Sequence, residues 1–303
     1  MQELTYRAEQ DKNNKSERQN RLMKTLNLLL ITLFFVGCAS QISMRQTVYR
    51  NEVSSLDALT QQDKEPFDQN WEIAEKLLEQ DKMAWIATDS ILPRLADSEK
   101  EMLRGYVTDG SLFNGEVFFF SENNENNISI VATASFSNGR FTAAAKGDMN
   151  IESRIVDMAM CIQKAKHVNQ EYITNQKVNY NTYALDNDNG ITVYLAPGSV
   201  NGYFILCGGI KTEFDKNKDL KSNTELHKSI VVYETRKMGD VMARSSSVTP
   251  VLNEIDILQF LIWKDVIYNQ MIVTGKYGFF LYNVPDEGRI IKRAFTQEEM
   301  KRK

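Results

Sequence analysis

The segment IESRIVDMAMCIQKAKHVNQEYI, residues 151–173, decides the fold class. Ile155, Met158 or Ala159, Ile162, Ala165 and Val168 recur every three or four positions and form one apolar stripe. The spacing predicts a helix from about Asn150 to Ile173, the longest in the chain and its main core element. A methionine-rich face can also serve as an adaptable groove, but a stripe this regular is read as packed against a sheet.

Strand patterns stand on both sides of it. Upstream, EVFFFSE (116–122), NISIVATASF (127–136) and GRFTAAAK (139–146) carry aromatic and β-branched residues suited to a half-buried pleated surface. Asn138-Gly139 between two of them is a strong hairpin signal, since both turn residues tolerate positive φ. Downstream, YNTYALD (180–186) and ITVYLAP (191–197) flank Asn187-Asp188-Asn189-Gly190, a second hairpin. GYFILCGG (202–209), SIVVYET (229–235), DILQFLIW (256–263), QMIVTGKY (270–277) and FFLYNV (279–284) follow at hairpin-like spacing and are read as strands. A helix between two sets of antiparallel strands gives an α+β fold: hairpins and meanders with one long helix packed against the sheet. Near the start of this domain FDQNWEIAEKLLEQ (67–80) reads as an amphipathic helix with Trp71 on the buried stripe. MAWIATDSIL (83–92) alternates loosely, as a strand does, and a short helix is expected from about Asp97 to Leu103.

Further upstream, MKTLNLLLITLFFVGC (23–38) has a basic residue, Lys24, then an apolar run from Leu28 to Val36 broken only by Thr32. Small residues surround Cys38. This is the n-region, h-region and cleavage site of an export signal, too short for the roughly 20 residues of a membrane-crossing helix. Residues 1–22 are polar and lack apolar periodicity, as in an untranslated or disordered extension. The expected organisation is thus extension 1–22, signal 23–37, tether 38–66 and one α+β domain, 67–303. Hydrophobic content of 42% and charged content of 25% suit a globular domain. A net charge of −4 argues against nucleic-acid binding driven by phosphate contacts. GxGxxG and P-loop motifs are absent, so nucleotide binding by the common routes is not expected.

Candidate chemistry is sparse, and no cofactor, metal site or catalytic residue is assigned. His227 and Ser229, read on one strand face, make half of a nucleophile and base pair; the other histidine, His167, lies on the long helix. Glu254 and Asp256 are one of many carboxylate pairs in a chain with 40 acidic residues; glycoside hydrolysis needs two held about 5 to 10 Å apart, which spacing in sequence does not establish. Asp215, Asn217 and Asp219 alternate like the first half of a calcium loop. Leu220 and Leu226, however, stand where its glycine and bidentate glutamate belong. Asp186 and Asp188 belong to a hairpin tip. Cys161 and Cys207 sit among apolar neighbours, as small hydrophobes do, and a disulfide between them is a further possibility in an exported chain.

Phe35-Val36-Gly37-Cys38 resembles the lipobox of bacterial lipoproteins, with Phe35 where leucine is usual. The resemblance implies cleavage before Cys38 and acylation of its thiol, the lipid bilayer being the partner. Ala39, which is not the aspartate of inner-membrane retention, implies the periplasmic side of the outer membrane in a Gram-negative cell. Leu226-His227-Lys228-Ser229-Ile230, VTPVLNEIDILQFLIW (248–263) and QMIVTGKYGFFLY (270–282) resemble an uncharacterised group of bacterial exported proteins. Ser245-Ser246-Ser247-Val248 replaces a second histidine motif of that group, and the likeness implies fold and export but no reaction. Three functions are therefore carried forward. The first is a lipid-anchored envelope protein that binds a protein partner or supports assembly, without catalysis. Next is an envelope hydrolase using His227 or a carboxylate pair, which needs a concave pocket where that ring meets a carboxylate and a hydroxyl. Last is a small-ligand or calcium carrier with the ligand between helix and sheet, which needs an enclosed apolar cavity of about 300–1,000 Å³.

Overall fold

A computed structural model describes residues 59–122, 127–146, 151–198, 203–234, 243–246, 251–263, 270–274, 278–284, 289–296 and 298. The signal segment, with Cys38, lies outside them, as does most of the expected tether. Among the described residues no helix is long and apolar enough to cross a membrane. The architecture is α+β, as expected, but the long helix is a different one. It is α1, Gln61–Ile91, 31 residues and about 46 Å at 1.5 Å per residue. It starts inside the expected tether and runs on through MAWIATDSIL, the expected strand. Phe67, Trp71, Ala74, Leu77, Met83, Ala84, Ala87 and Ile91 are buried at helical spacing, whereas Trp85 is 69% exposed. A strand would have put Met83, Trp85 and Ala87 on one face; the 3.6 period keeps Met83 with Ala87 and turns Trp85 away.

After α2 (Asp97–Met102) come β1 (Leu103–Gly110), β2 (Asn114–Glu122), β3 (Ile128–Ser137) and β4 (Arg140–Lys146), an antiparallel meander in that order. The expected helix follows as two. α3 (Ser153–Val168) ends at Asn169, and α4 (Gln170–Gln176) begins there. Asn169 is buried, and its amide donates to Ala165 O (2.8 Å) and Thr212 Oγ1 (3.3 Å), while its Oδ1 accepts from Asn223 Nδ2 (2.8 Å). These bonds to the next sheet fix the break.

A second antiparallel sheet has the order β5 (Tyr180–Asn187), β6 (Gly190–Pro197), β8 (Ile210–Phe214), β9 (Leu220–Glu225). β7 (Tyr203–Cys207) leaves it to pair with β10 (Ile230–Glu234), Cys207 opposite Ile230. β11 (Ala243–Ser246) pairs in parallel with β12 (Gln270–Thr274), and β13 (Gly278–Val284) and β14 (Arg289–Phe295) complete that sheet. The parallel pair departs from the hairpin-only expectation. So does DILQFLIW, which is not a strand but lies in helix α5, Glu254–Trp263, buried from Glu254 to Leu261. A continuous apolar run does not distinguish a core strand from a core helix by period.

Period-2 alternation places the cores. Phe118 and Phe120 of β2 face α3, whereas Val117 and Phe119 face the C-terminal half of α1. α3 also covers Ala184, Ile191, Val193 and Leu195 of the second sheet. The opposite face of that sheet, Tyr183, Tyr194 and Ala196, packs with Cys207, α5 and the N-terminal half of α1. α1 therefore serves two cores. Asp81 fastens it to the second sheet by accepting from Tyr183 Oη (2.8 Å) and Asn181 Nδ2 (3.2 Å).

Candidate functional site

The core beneath α5 is polar. Among the described residues the buried ionisable side chains other than cysteines and tyrosines are His227, Glu254 and Asp256, and all three lie on or against α5, near Asn253, Gln259 and Cys207. Ligand atoms of Cys207, His227 and Asp256 lie within 4.8 Å of one another.

Each side chain is placed by its own local structure. Cys207 closes β7 with φ of +64°, a left-handed conformation unusual outside glycine. Gln259 of α5 clamps that peptide from both sides: its Oε1 accepts from Cys207 N (2.8 Å), and its Nε2 donates to Cys207 O (3.0 Å). At Gly209 a Cβ would stand 2.8 to 2.9 Å from the side chain of Ile255, so glycine there lets α5 settle on the end of β7. His227 lies in the turn before β10. The Tyr172 hydroxyl of α4 donates to His227 O (2.6 Å), and Leu226 N donates to Gly209 O (2.8 Å). Burial pushes the Tyr172 hydroxyl up to about 12, with Glu225 adding to it, so it stays a donor. Asn253 caps α5: its Oδ1 accepts from Ile255 N and Asp256 N, both at 3.0 Å. This fixes the amide orientation, so Asn253 Nδ2 faces His227 Nε2 at 3.4 Å.

Asp256, next to the cap, brings Oδ1 to 2.9 Å from His227 Nε2. Distance and direction disagree: the contact satisfies ion-pair distance, yet neither Asp256 oxygen receives an aligned hydrogen bond, and His227 Nδ1 has no hydrogen-bond partner. Direction decides hydrogen bonding, because strength falls steeply off axis. Nε2 lies along the Asn253 amine, so with a proton it would clash there, and without one it accepts from that amine. The neutral ring then leaves the buried Asp256 carboxylate without a donor. A cation held between Nε2 and the carboxylate offsets the several kcal/mol that a buried unpaired carboxylate costs.

His227 has the expected carboxylate beside it, Asp256, but in place of the expected hydroxyl stands the thiol of Cys207. Ser229 is exposed ahead of β10 and does not share the side of His227, because the strand begins only at Ile230. His167 is exposed on α3. Glu254 and Asp256 diverge: Glu254 Oε1 accepts from Tyr194 Oη (3.2 Å) and Lys211 Nζ (3.3 Å), while Asp256 faces His227. Tyr194 is held protonated by its burial first and by Glu254 second. Asp215 Oδ1 accepts from Asn217 N (2.8 Å) and Asp219 N (3.0 Å), the bonds of a tight turn between β8 and β9. Asp186 and Asp188 are exposed at the β5–β6 turn. Cys161 and Cys207 form no disulfide and belong to different cores. The carrier reading finds a cleft of about 400 Å³, the size expected of a ligand site, but it is open and lined largely by polar side chains such as Lys76, Asn187, Lys211 and Glu213 rather than enclosed and apolar. Missed from sequence were Cys207 and Gln259; Asn253 as a cap ahead of Asp256 was the available signal.

No family model matches this chain, and no curated protein or solved structure matches it.

Proposed function

We propose that Cys207, His227 and Asp256 hold a zinc-class divalent ion and that this chain is a metal-dependent protein of the cell envelope. A thiolate, an imidazole and a carboxylate together suit zinc better than calcium or magnesium, which prefer all-oxygen sets. The carrying observation is the buried Asp256 carboxylate that no donor satisfies, 2.9 Å from His227 Nε2 and grouped with the Cys207 thiol. The Asn253 carbonyl is engaged in capping. Three protein donors leave one position of a tetrahedral ion for water or a small ligand, the pattern of catalytic rather than structural zinc. Such an ion supplies Lewis-acid chemistry, while Gln259 and Asn253 orient the groups that bind it.

The test is Co(II) titration of the purified full-length protein in detergent. One equivalent should bind with a thiolate charge-transfer band that Cys207→Ser abolishes. At an ion concentration of 100 Kd the bound ion should add about 2.7 kcal/mol to stability, removable by chelator. Absence of the band, or its survival in Cys207→Ser, sinks the proposal.

A second reading has Cys207 as an acyl-transfer nucleophile, with His227 as base and Asp256 orienting it. The left-handed Cys207 favours it, since backbone strain gathers at reactive groups. Burial weighs against it: Cys207 is 4% exposed and His227 7%, and reactive thiols are partly accessible. Rapid alkylation of Cys207 by iodoacetamide in metal-loaded protein would favour this reading over the first.

Export and acylation at Cys38 belong to the same proposal and rest on the Met23–Cys38 pattern. Labelling with radioactive palmitate should mark the wild-type chain and leave Cys38→Ala blank; equal label in both refutes lipidation at that thiol.

A further inference from the structure

We propose that a second site, the cleft between the C-terminal half of α3 and the neighbouring edges of the first two sheets, binds a small amphiphilic anion: a carboxylate or phosphate bearing an apolar tail. The cleft holds about 890 Å³, within the range of small-molecule sites. Arg104, Lys164 and Lys166 line it. Their recorded partners are all backbone carbonyls. Arg104 Nη1 donates to Glu101 O (2.9 Å) and Leu103 O (3.1 Å), Lys164 Nζ to Lys218 O (2.8 Å), and Lys166 Nζ to Arg104 O (2.6 Å). Among the described residues none of the three pairs with a carboxylate, whereas Lys218 beside them pairs with Asp157 at 3.1 Å. The acids on the lining are Glu122 and Asp219.

Two further features point to an anion. Burial, and secondarily the charge of Arg104, depresses the Lys166 ammonium, so a counter-charge is what that corner lacks. Gln163 Nε2, also on the lining, is buried with no hydrogen-bond partner. The apolar side of the ligand follows from Ile128, Met160, Val168 and Leu220, of which Val168 and Leu220 are 47% and 49% exposed. Bare phosphate would satisfy the cations and leave that surface wet; a neutral amphiphile would do the reverse.

The experiment is isothermal titration calorimetry of the full-length protein in detergent with hexyl phosphate and hexanoate, against hexanol and inorganic phosphate, each corrected for detergent alone. At least one tailed anion should bind about tenfold tighter than both controls, and whichever is preferred names the head group. Lys166→Gln and Arg104→Gln should each weaken it about tenfold, with thermal melts matching wild type to show that both variants fold. Binding of hexanol or phosphate as tight as that of the tailed anions overturns the proposal, as does unchanged affinity in the two folded variants. No binding by either anion overturns it too.

Discussion

Two buried cysteines divide this molecule into two kinds of interior. Cys161 sits in the α3 stripe among Ile155, Met158, Ala159, Ile162 and Ala165, where burial pushes its thiol up to about 12. Cys207 is as well hidden, but His227, Asn253, Asp256 and Gln259 crowd it, and its own backbone is twisted into a left-handed conformation. An apolar interior gains from every methylene it buries. A polar one loses unless each charge finds a partner. Thiol burial is equal in the two places, so burial alone says nothing about role. What separates them is whether the surrounding groups are satisfied, and near Cys207 the Asp256 carboxylate and His227 Nδ1 are not.

The difference can be broken most forcefully at Gln259. Gln259→Leu keeps the volume of α5 and leaves Cys207 N–H and C=O without the partners that hold φ at +64°. The expected loss is about 2–4 kcal/mol by urea unfolding, with weaker Co(II) binding in the same preparation. A loss below 0.5 kcal/mol, on the order of an ordinary surface change, would mean that the clamp does not hold the site. Cys161→Ala sharpens the contrast from the other side. It should cost about 1 kcal/mol, as a small core truncation does, and leave the cobalt band at full height. In the native wild type, Cys161 should resist iodoacetamide at pH 8, because so little of it is thiolate there. Ready alkylation of Cys161 would erase the distinction.

Much of the fold was legible because the periods were clean. The α3 stripe up to Ala165 and the Asn138-Gly139 turn were read correctly because helix period and turn chemistry are local properties. The second hairpin is there too, but it turns on Asp188-Asn189 with Asn187 paired to Gly190, and Val168 ends the stripe exposed. MAWIATDSIL and DILQFLIW were misread for a shared reason: their helical form is decided by what they pack against. Trp85 mimicked strand alternation, and α5 is buried nearly all round, so no polar face marks its period. The cluster was half legible. His227 was singled out as a candidate base, but its partners stand 20 or more residues away in sequence, and only the arrival of α5 over Gly209 brings them together. Cys207 read as a hydrophobe by its neighbours in YFILCGG, whereas its chemistry is set by residues from other elements.

The reach of α1 also governs the order in which the chain is completed. The amide of Asn70 donates to the carbonyl of Leu252 across 182 residues of sequence, and Phe67 and Trp71 share a core with α5. At the ribosome's pace of about 5–20 residues per second, that greasy stripe emerges roughly ten to forty seconds before its cover is made. In that interval a nascent chain carries an uncovered aromatic surface.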